Sequence, residues 1–297
     1  MVANMPQPDH GIQKRIFVAG ASRSGTTLLQ SLLASHSDIH TFPETGAFLR
    51  ILGMRRRNPL SLFGISLGME KKALQRLAQS KFDSLGRPRT CLTLKASMAQ
   101  IVDFLDRLTL DQNKNIWVEK TPRHFKYAHI LLRHIPAFHF VHILRDGRDV
   151  AASIYLRAIR HPGKFDKQKN LQYGVRLWNE AVRKAHALKD LAGHSTLIYE
   201  DLTRQPETVL RALCSEMEIA FESQMLQMGH GSYFILGRET WKQDTSTTVV
   251  NNTSKFHSVF TESTRRWLEN ELRLDLYQEL RQETADRFGL EIPPETA

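Results

Sequence analysis

Apolar and polar runs alternate along the 297-residue chain in a way that predicts short strands separated by helices. Residues 15–20 (RIFVAG) are a compact apolar run ended by glycine, the pattern of a buried parallel strand. Residues 26–36 then set Leu28, Leu29, Leu32 and Leu33 at helical spacing. A second short strand is predicted over 39–42, and 46–110 reads as mostly helical with a loop near 82–88. Strands follow at 115–121 (NIWVEKT) and 139–145 (HFVHILR), the latter leading into a helix over about 147–160. An amphipathic helix is predicted over 168–191, a strand over 195–199, and a helix over 206–218 with Pro206 in its first turn. Residues 229–253 are rich in Gly, Ser, Thr and Asn and read as loop. A closing helix is predicted over 261–288, stopped by Gly289 and the Pro293-Pro294 pair.

This alternation predicts a single α/β domain over residues 15–290: a P-loop-like, mainly parallel central sheet flanked by helices. Residues 1–14 and 291–297 read as tails. No run of about 18 apolar residues exists, so no membrane span is expected. The polar start lacks the apolar core of a secretory signal, and a cytoplasmic location is expected. Cys91 and Cys214 have no metal-like spacing and read as reduced, buried thiols. The thirteen histidines are scattered, and no metal is expected. A formal net charge of +10 favours anionic partners. Arg55-Arg56-Arg57 has no interleaved aromatics to stack bases, so nucleic acid is not the expected partner.

Two strand-to-helix turns carry the chemistry. The first is Gly20-Ala21-Ser22-Arg23-Ser24-Gly25-Thr26-Thr27. Glycines bounding a loop that opens a helix expose backbone N–H groups to a phosphate, and the helix N-terminus adds partial positive charge. Thr26 stands where a nucleoside-triphosphate loop would carry lysine, and the cation is instead Arg23, inside the loop. The second turn is Arg145-Asp146-Gly147-Arg148-Asp149, with Ser153 on the following helix and Arg157 one helical turn later. Arginine, hydroxyl and arginine on one face suit a phosphate monoester, because guanidinium pairs bidentately with its oxygens. The aspartates suit the start of the helix.

Residues 22–29 (SRSGTTLL) resemble the 5′-phosphosulfate loop of the sulfotransferases that use 3′-phosphoadenosine 5′-phosphosulfate (PAPS), in the arginine form of the tyrosylprotein and bacterial-type branches. The resemblance implies PAPS as co-substrate, with Ser22, Arg23, Ser24, Gly25, Thr26 and Thr27 around its 5′ end. It implies Arg145, Ser153 and Arg157 around its 3′-phosphate. Residues 197–202 (LIYEDL) are similar to a late segment of the same family, which implies a nucleotide contact for Tyr199. Residues 251–256 (NNTSKF) resemble the segment that closes over the nucleotide, which implies Ser254 and Lys255 as phosphate contacts.

Sulfuryl transfer needs a base for the acceptor hydroxyl and cations at the sulfuryl and bridging oxygens. By resemblance, Glu44 after the second strand is the expected general base, and Lys120 with Arg23 the expected leaving-group cations. His124 is the rival base, two residues out of register with the histidine of the cytosolic branch. The expected function is O-sulfotransfer from PAPS by in-line displacement onto a hydroxyl of a small molecule, glycan, lipid or peptide tyrosine. The alternatives are a P-loop kinase of a small molecule and a non-catalytic nucleotide- or anion-binding protein.

Overall fold

The computed structural model describes residues 11–53, 91, 93–227 and 255–292. Five parallel strands form one sheet: β1 (Lys14–Ala19), β2 (Ile39–Phe42), β3 (Ile116–Lys120), β4 (Phe138–Leu144) and β5 (His194–Ile198). Their spatial order is β2-β3-β1-β4-β5. This is a single α/β domain with an all-parallel central sheet, as the alternation predicts. All five strands are almost wholly buried on both faces, which only a sheet covered on both sides allows.

One face packs Ile16, Val18, Val118, Val141 and Ile143 against α1 (Thr26–Ala34) through Leu29, Leu32 and Leu33. The same layer takes Val209, Leu210, Leu213 and Met217 of a helix over Pro206–Met217. The other face packs Phe17, Trp117, Phe140 and Leu144 against α2 (Ala47–Gly53), α3 (Leu94–Leu110), α4 (Ala128–His134), α5 (Gly147–Arg160) and α6 (Leu171–Leu188). The remaining helices are α7 (Tyr199–Arg204), α8 (Pro206–Met217), α9 (Lys255–Val259), α10 (Glu262–Glu271) and α11 (Leu274–Phe288).

Several predicted boundaries move, each for a physical reason. The helix expected over 168–191 starts at Leu171, because the Asn170 side chain accepts from the Gln172 N–H and caps it; a 3₁₀ turn, Asp166–Lys169, precedes it. The helix expected over 261–288 is two helices. Asn179 of α6 donates to the Glu271 carbonyl at 2.8 Å and accepts from the Arg273 N–H at 2.9 Å, satisfying the backbone where the chain turns. Tyr199 opens α7 rather than closing a strand. Residues 122–134, for which the apolar pattern predicts no element, form a 3₁₀ helix (Pro122–Tyr127) and α4. The helical reading of 46–110 holds for α2 and α3; its middle, and the loop over 229–253, lie outside the described residues apart from isolated positions. Cys214 is buried, as expected, and Cys91 is only half-buried.

A buried ion pair ties β1 to α3. Arg15 donates from Nε and Nη2 to the two Asp106 oxygens at 3.0 and 2.7 Å, and Trp117 Nε1 donates to Oδ1 at 2.7 Å. Asp106→Ala leaves a buried guanidinium unpaired, so chemical denaturation is expected to report a loss of about 3–5 kcal/mol. A loss below about 1 kcal/mol would mean water reaches this pair.

Candidate active site

The carboxyl ends of the five strands lie along one sheet edge, and each feeds a segment carrying a sequence-predicted residue. In spatial order these are Glu44 beyond β2, Lys120 ending β3, the 20–25 loop after β1, Arg145 after β4 and Tyr199 after β5. The chain winds outward on both sides of β1, which makes this edge the switch-point crevice where open α/β sheets bind ligands.

The loop after β1 opens α1 with no side-chain cap and no acidic residue in its first turn. No side-chain cap competes for the first N–H groups of the helix, an arrangement that suits an anion. Gly25 caps the helix at φ 92°, and a Cβ there would meet the Tyr199 ring at 2.3 Å. Only glycine meets both conditions. Arg23 adopts φ 79°, a left-handed conformation that costs a non-glycine residue about 1–2 kcal/mol. Its side chain turns across the crevice, and Nε donates to Ser153 Oγ at 2.9 Å. Although Arg23 is exposed at the rim, its guanidinium lies low among other groups. Desolvation, then the charges of Arg145 and Arg160, pull its pKa below the ordinary arginine value, with Tyr199 opposing. Ser24 is fully buried, and its hydroxyl has no hydrogen-bond partner among the described residues. Thr26 is buried; Ser22 and Thr27 are half-buried.

Arg145 is buried at the start of the second turn. Its guanidinium lies 4.5 Å from the Tyr199 ring centroid and donates to Asp149 Oδ2 at 3.3 Å. Two distant side chains shape this turn. Trp178 Nε1 donates to the Arg145 carbonyl at 2.8 Å, and its ring lies so close over Gly147 that a Cβ there would sit 2.7 Å away. Glu200 accepts from the Asp146 N–H at 3.1 Å and from Tyr277 Oη at 2.8 Å. Burial pushes the Glu200 carboxyl up against these hydrogen bonds. Asp146 caps α5 by accepting from the Arg148 N–H at 2.8 Å. Tyr199 is itself buried, wedged between Gly25 and Arg145, so it braces the two anion loops against each other.

Further cations join them. Lys255 is lowered by desolvation and then by Arg145, Arg23 and Arg160. Arg157 does not turn to Ser153. It donates twice to Gln168 Oε1, at 3.2 and 2.7 Å, and stacks at 4.6 Å on Phe165. Desolvation, then Arg23, bring its pKa down to about 10, with Tyr173 and Glu44 opposing. Arg160 is the cation that sequence reasoning missed; its one signal is its place three residues beyond Arg157 on the same helix.

On the far side of β1, Lys120 Nζ donates to Glu44 Oε2 at 3.3 Å. The Lys120 side chain is 3% exposed and that of Glu44 32%. Lys120 therefore pairs with Glu44 and not with its neighbour Glu119. Glu119 points into the protein, where its carboxylate lies 2.9 Å from His124 Nδ1, both side chains fully buried. His124 packs on Phe17 and Phe48. That burial denies it the open face a base for an incoming hydroxyl requires. Ser254 lies outside the described residues.

The residues from 15 to 223 match the model of the Sulfotransferase family. The chain belongs to this family. The sulfotransferase chain is 31% identical over 223 residues to an uncharacterized protein of Aquifex aeolicus, covering 73% of this chain and 27% of that one. It is 24% identical over 216 residues to the protein-tyrosine sulfotransferase of Drosophila melanogaster (71% and 39%). With protein-tyrosine sulfotransferase 1 of Danio rerio the identity is 27% over 219 residues (71% and 55%). The match thus spans about a quarter to about half of these relatives' lengths. The fold is that of the sulfotransferase domain of the Synechococcus PCC 7002 olefin synthase, with a TM-score of 0.59 at 22% identity, covering 98% of this chain and all of that one.

Among the described residues, no helix is long and apolar enough to cross a membrane, and no three His, Cys, Asp or Glu side chains gather as metal ligands would.

Proposed function

We propose that this sulfotransferase chain moves the sulfuryl group of PAPS onto an acceptor hydroxyl by in-line displacement. One observation carries the reading: Arg23, from the loop after β1, bonds Ser153, from the helix after β4, at 2.9 Å. The two anion loops are therefore neighbours, close enough for one bisphosphorylated nucleotide to reach both. The donor set fits that molecule. The uncapped start of α1, the orphaned Ser24 hydroxyl and Arg23 suit its 5′ end. Arg145 and Ser153 suit its 3′-phosphate, with Lys255 and Arg160 adding charge.

Arg157 is reassigned in this reading. Held by Gln168 and Phe165 and sensing both Arg23 and Glu44, it serves the reacting side of the crevice rather than the 3′-phosphate. Glu44 takes the proton of the acceptor hydroxyl as its oxygen attacks sulfur. The bond from sulfur to the 5′-phosphate oxygen breaks, adenosine 3′,5′-bisphosphate leaves, and Lys120 and Arg23 bear the charge that develops there. The acceptor is a hydroxyl compound, taken in beside Glu44. The reading needs no metal ion, because the transferred group carries a single charge.

Thermal shift is the first test. Adenosine 3′,5′-bisphosphate is expected to raise Tm and ATP–Mg²⁺ is not; the reverse pattern would favour a kinase, and no response to either an anion-binding protein. Radiolabelled PAPS with a panel of phenols, glycans and lipid hydroxyls then identifies the acceptor. Arg145→Ala is expected to weaken adenosine 3′,5′-bisphosphate by about ten- to a hundredfold, the worth of a buried charge-assisted contact. Arg145→Lys is expected to restore little, because an ammonium cannot reproduce the fork. Calorimetric titration reads both, and unchanged affinity in Arg145→Ala would remove the 3′-phosphate from this turn.

A further inference from the structure

Glu119 lies one residue before Lys120 on β3, with no side-chain exposure. Its Oε1 accepts from Thr45 Oγ1 and from Thr121 Oγ1, each at 2.7 Å. Each hydroxyl in turn accepts a backbone N–H. Thr45 Oγ1 takes that of Ala47 at 3.0 Å, where α2 begins, and Thr121 Oγ1 takes that of Gly46 at 3.2 Å. One carboxylate thus gathers the segment just after Glu44 and the segment just after Lys120. His124 closes the knot, its Nδ1 at 2.9 Å from Oε2 and its backbone N–H bonded to the Thr121 carbonyl at 2.9 Å.

Packing alone does not call for a charged group here. A buried ion pair contributes little net stability, and apolar residues of the same volume would serve as well or better. Burial opposes the charge on Glu119, yet its carboxyl is held below the ordinary carboxylate range by the adjacent His124 ring and by hydrogen bonds from Thr45 and Thr121. The group is therefore a committed acceptor of both hydroxyls. Those hydroxyls sit on the residues that directly follow Glu44 and Lys120, whose side chains stand 3.3 Å apart at the crevice.

We propose that Glu119 is a positioning residue that sets the Glu44–Lys120 pair through Thr45 and Thr121, with the His124 ring packed against its other carboxylate oxygen. The proposal rests on the sulfuryl-transfer reading for its kinetic consequence, and on geometry alone for its structural one. It gives His124 a use that needs no exposure. It also accounts for two consecutive residues, Glu119 and Lys120, that point to different partners, the first fixing the loop on which the second's partner sits.

The test compares Thr45→Val, which removes the hydroxyl at constant shape, with Thr45→Ser, which keeps it. In Thr45→Val, kcat for turnover of radiolabelled PAPS is expected to fall about ten- to a hundredfold, the effect of misplacing a reacting group by about 1 Å. Affinity for adenosine 3′,5′-bisphosphate is expected to stay within about twofold of the unaltered chain, because the loss falls on turnover and not on binding. Thr45→Ser is expected to recover most of kcat. Glu119→Gln, which keeps an acceptor oxygen for the hydroxyls but not the charge facing His124, is expected to fall between the two. Unchanged kcat in Thr45→Val, equal losses in kcat and nucleotide affinity, or no rescue by serine would each overturn the proposal. A crystal structure of Thr45→Val separates this claim from the sulfuryl-transfer reading. If the unaltered chain turns over no PAPS, that reading fails, and the Glu44–Lys120 separation still decides the positioning: a wider pair supports it, and an unmoved pair ends it.

Discussion

Glu44→Gln is expected to lower kcat for sulfuryl transfer by about 10²–10⁴-fold, the span that a positioned general base contributes. Nucleotide affinity should barely change, because Glu44 stands beyond β2 and β3, on the opposite side of β1 from Arg145. Its side chain is about a third exposed, open to an incoming acceptor, while its partner Lys120 is almost wholly enclosed. In the proposed reaction this asymmetry divides the labour: the more exposed carboxylate meets the hydroxyl and the enclosed ammonium meets the bridging oxygen. Glutamine keeps the shape and a hydrogen bond to Lys120 but accepts no proton. A fall in kcat and kcat/KM together is the signature of an interaction made only in the transition state. Single-turnover quench measurements with saturating PAPS read that step directly. A Glu44→Gln chain with full kcat would end Glu44's candidacy, and it would not promote His124, whose ring is sealed against Phe17, Phe48 and Glu119.

Acid should unfold this protein steeply. Three histidines of the central sheet are buried: His139 and His142 on β4 and His194 on β5. Desolvation, with Lys14 and Arg287 adding to it and Glu218 opposing, brings His139 down to about 4. Desolvation, then His139 and Arg287, bring His194 down to about 3. His142, between Phe125 and Phe140 and edge-on to His194, is held well below the ordinary value by burial and then by His194.

The sign follows from linkage. Above about pH 6.5 all three rings are neutral in both states and stability does not depend on them. Below it the unfolded chain binds protons that the native protein refuses, so stability falls with pH until the native rings titrate. Three protons correspond to at most about 4 kcal/mol per pH unit. Glu200 works the other way, since its raised carboxyl binds a proton more readily when folded, but it returns only one proton against three. Set against a total stability of about 5–15 kcal/mol, cooperative unfolding is expected between about pH 5 and pH 4. Urea midpoints measured from pH 7.5 to 5 test this. His142→Phe, which keeps the aromatic packing, should remove about one third of the slope. A flat profile, or an unaltered slope in His142→Phe, would show that these rings accept protons in the folded state.

Local pattern carried much of this molecule. Gly20 to Thr27 and Arg145 to Ser153 are legible because strand, glycine turn and helix start are adjacent in sequence and the phosphate-binding geometry is made within about ten residues. Glu44 and Lys120 were marked by resemblance to the family. The same locality leaves long-range partners unread. Arg157 was assigned by helical spacing, yet Gln168 and Phe165, from the segment after its helix, turn it away from Ser153. Tyr199 is wedged between Gly25 and Arg145, a contact between two loops that no local pattern reports. The break between α10 and α11 depends on Asn179, about ninety residues upstream, and no periodicity reports it.

The sequence by itself determined the alternating parallel fold and the two strand-to-helix turns, since each is a short-range consequence of glycine and apolar spacing, and the family through its resemblance over residues 22–29. Only the tertiary structure decided that β3 inserts between β2 and β1, which sets Lys120 3.3 Å from Glu44, 76 residues away. It also decided that Glu119 and His124 lie inside while Arg23 reaches across to Ser153. The physical reason is that a buried polar group is defined by its partners. Those partners come from whichever distant segments are desolvated beside it, which the order of the strands sets and local propensity does not.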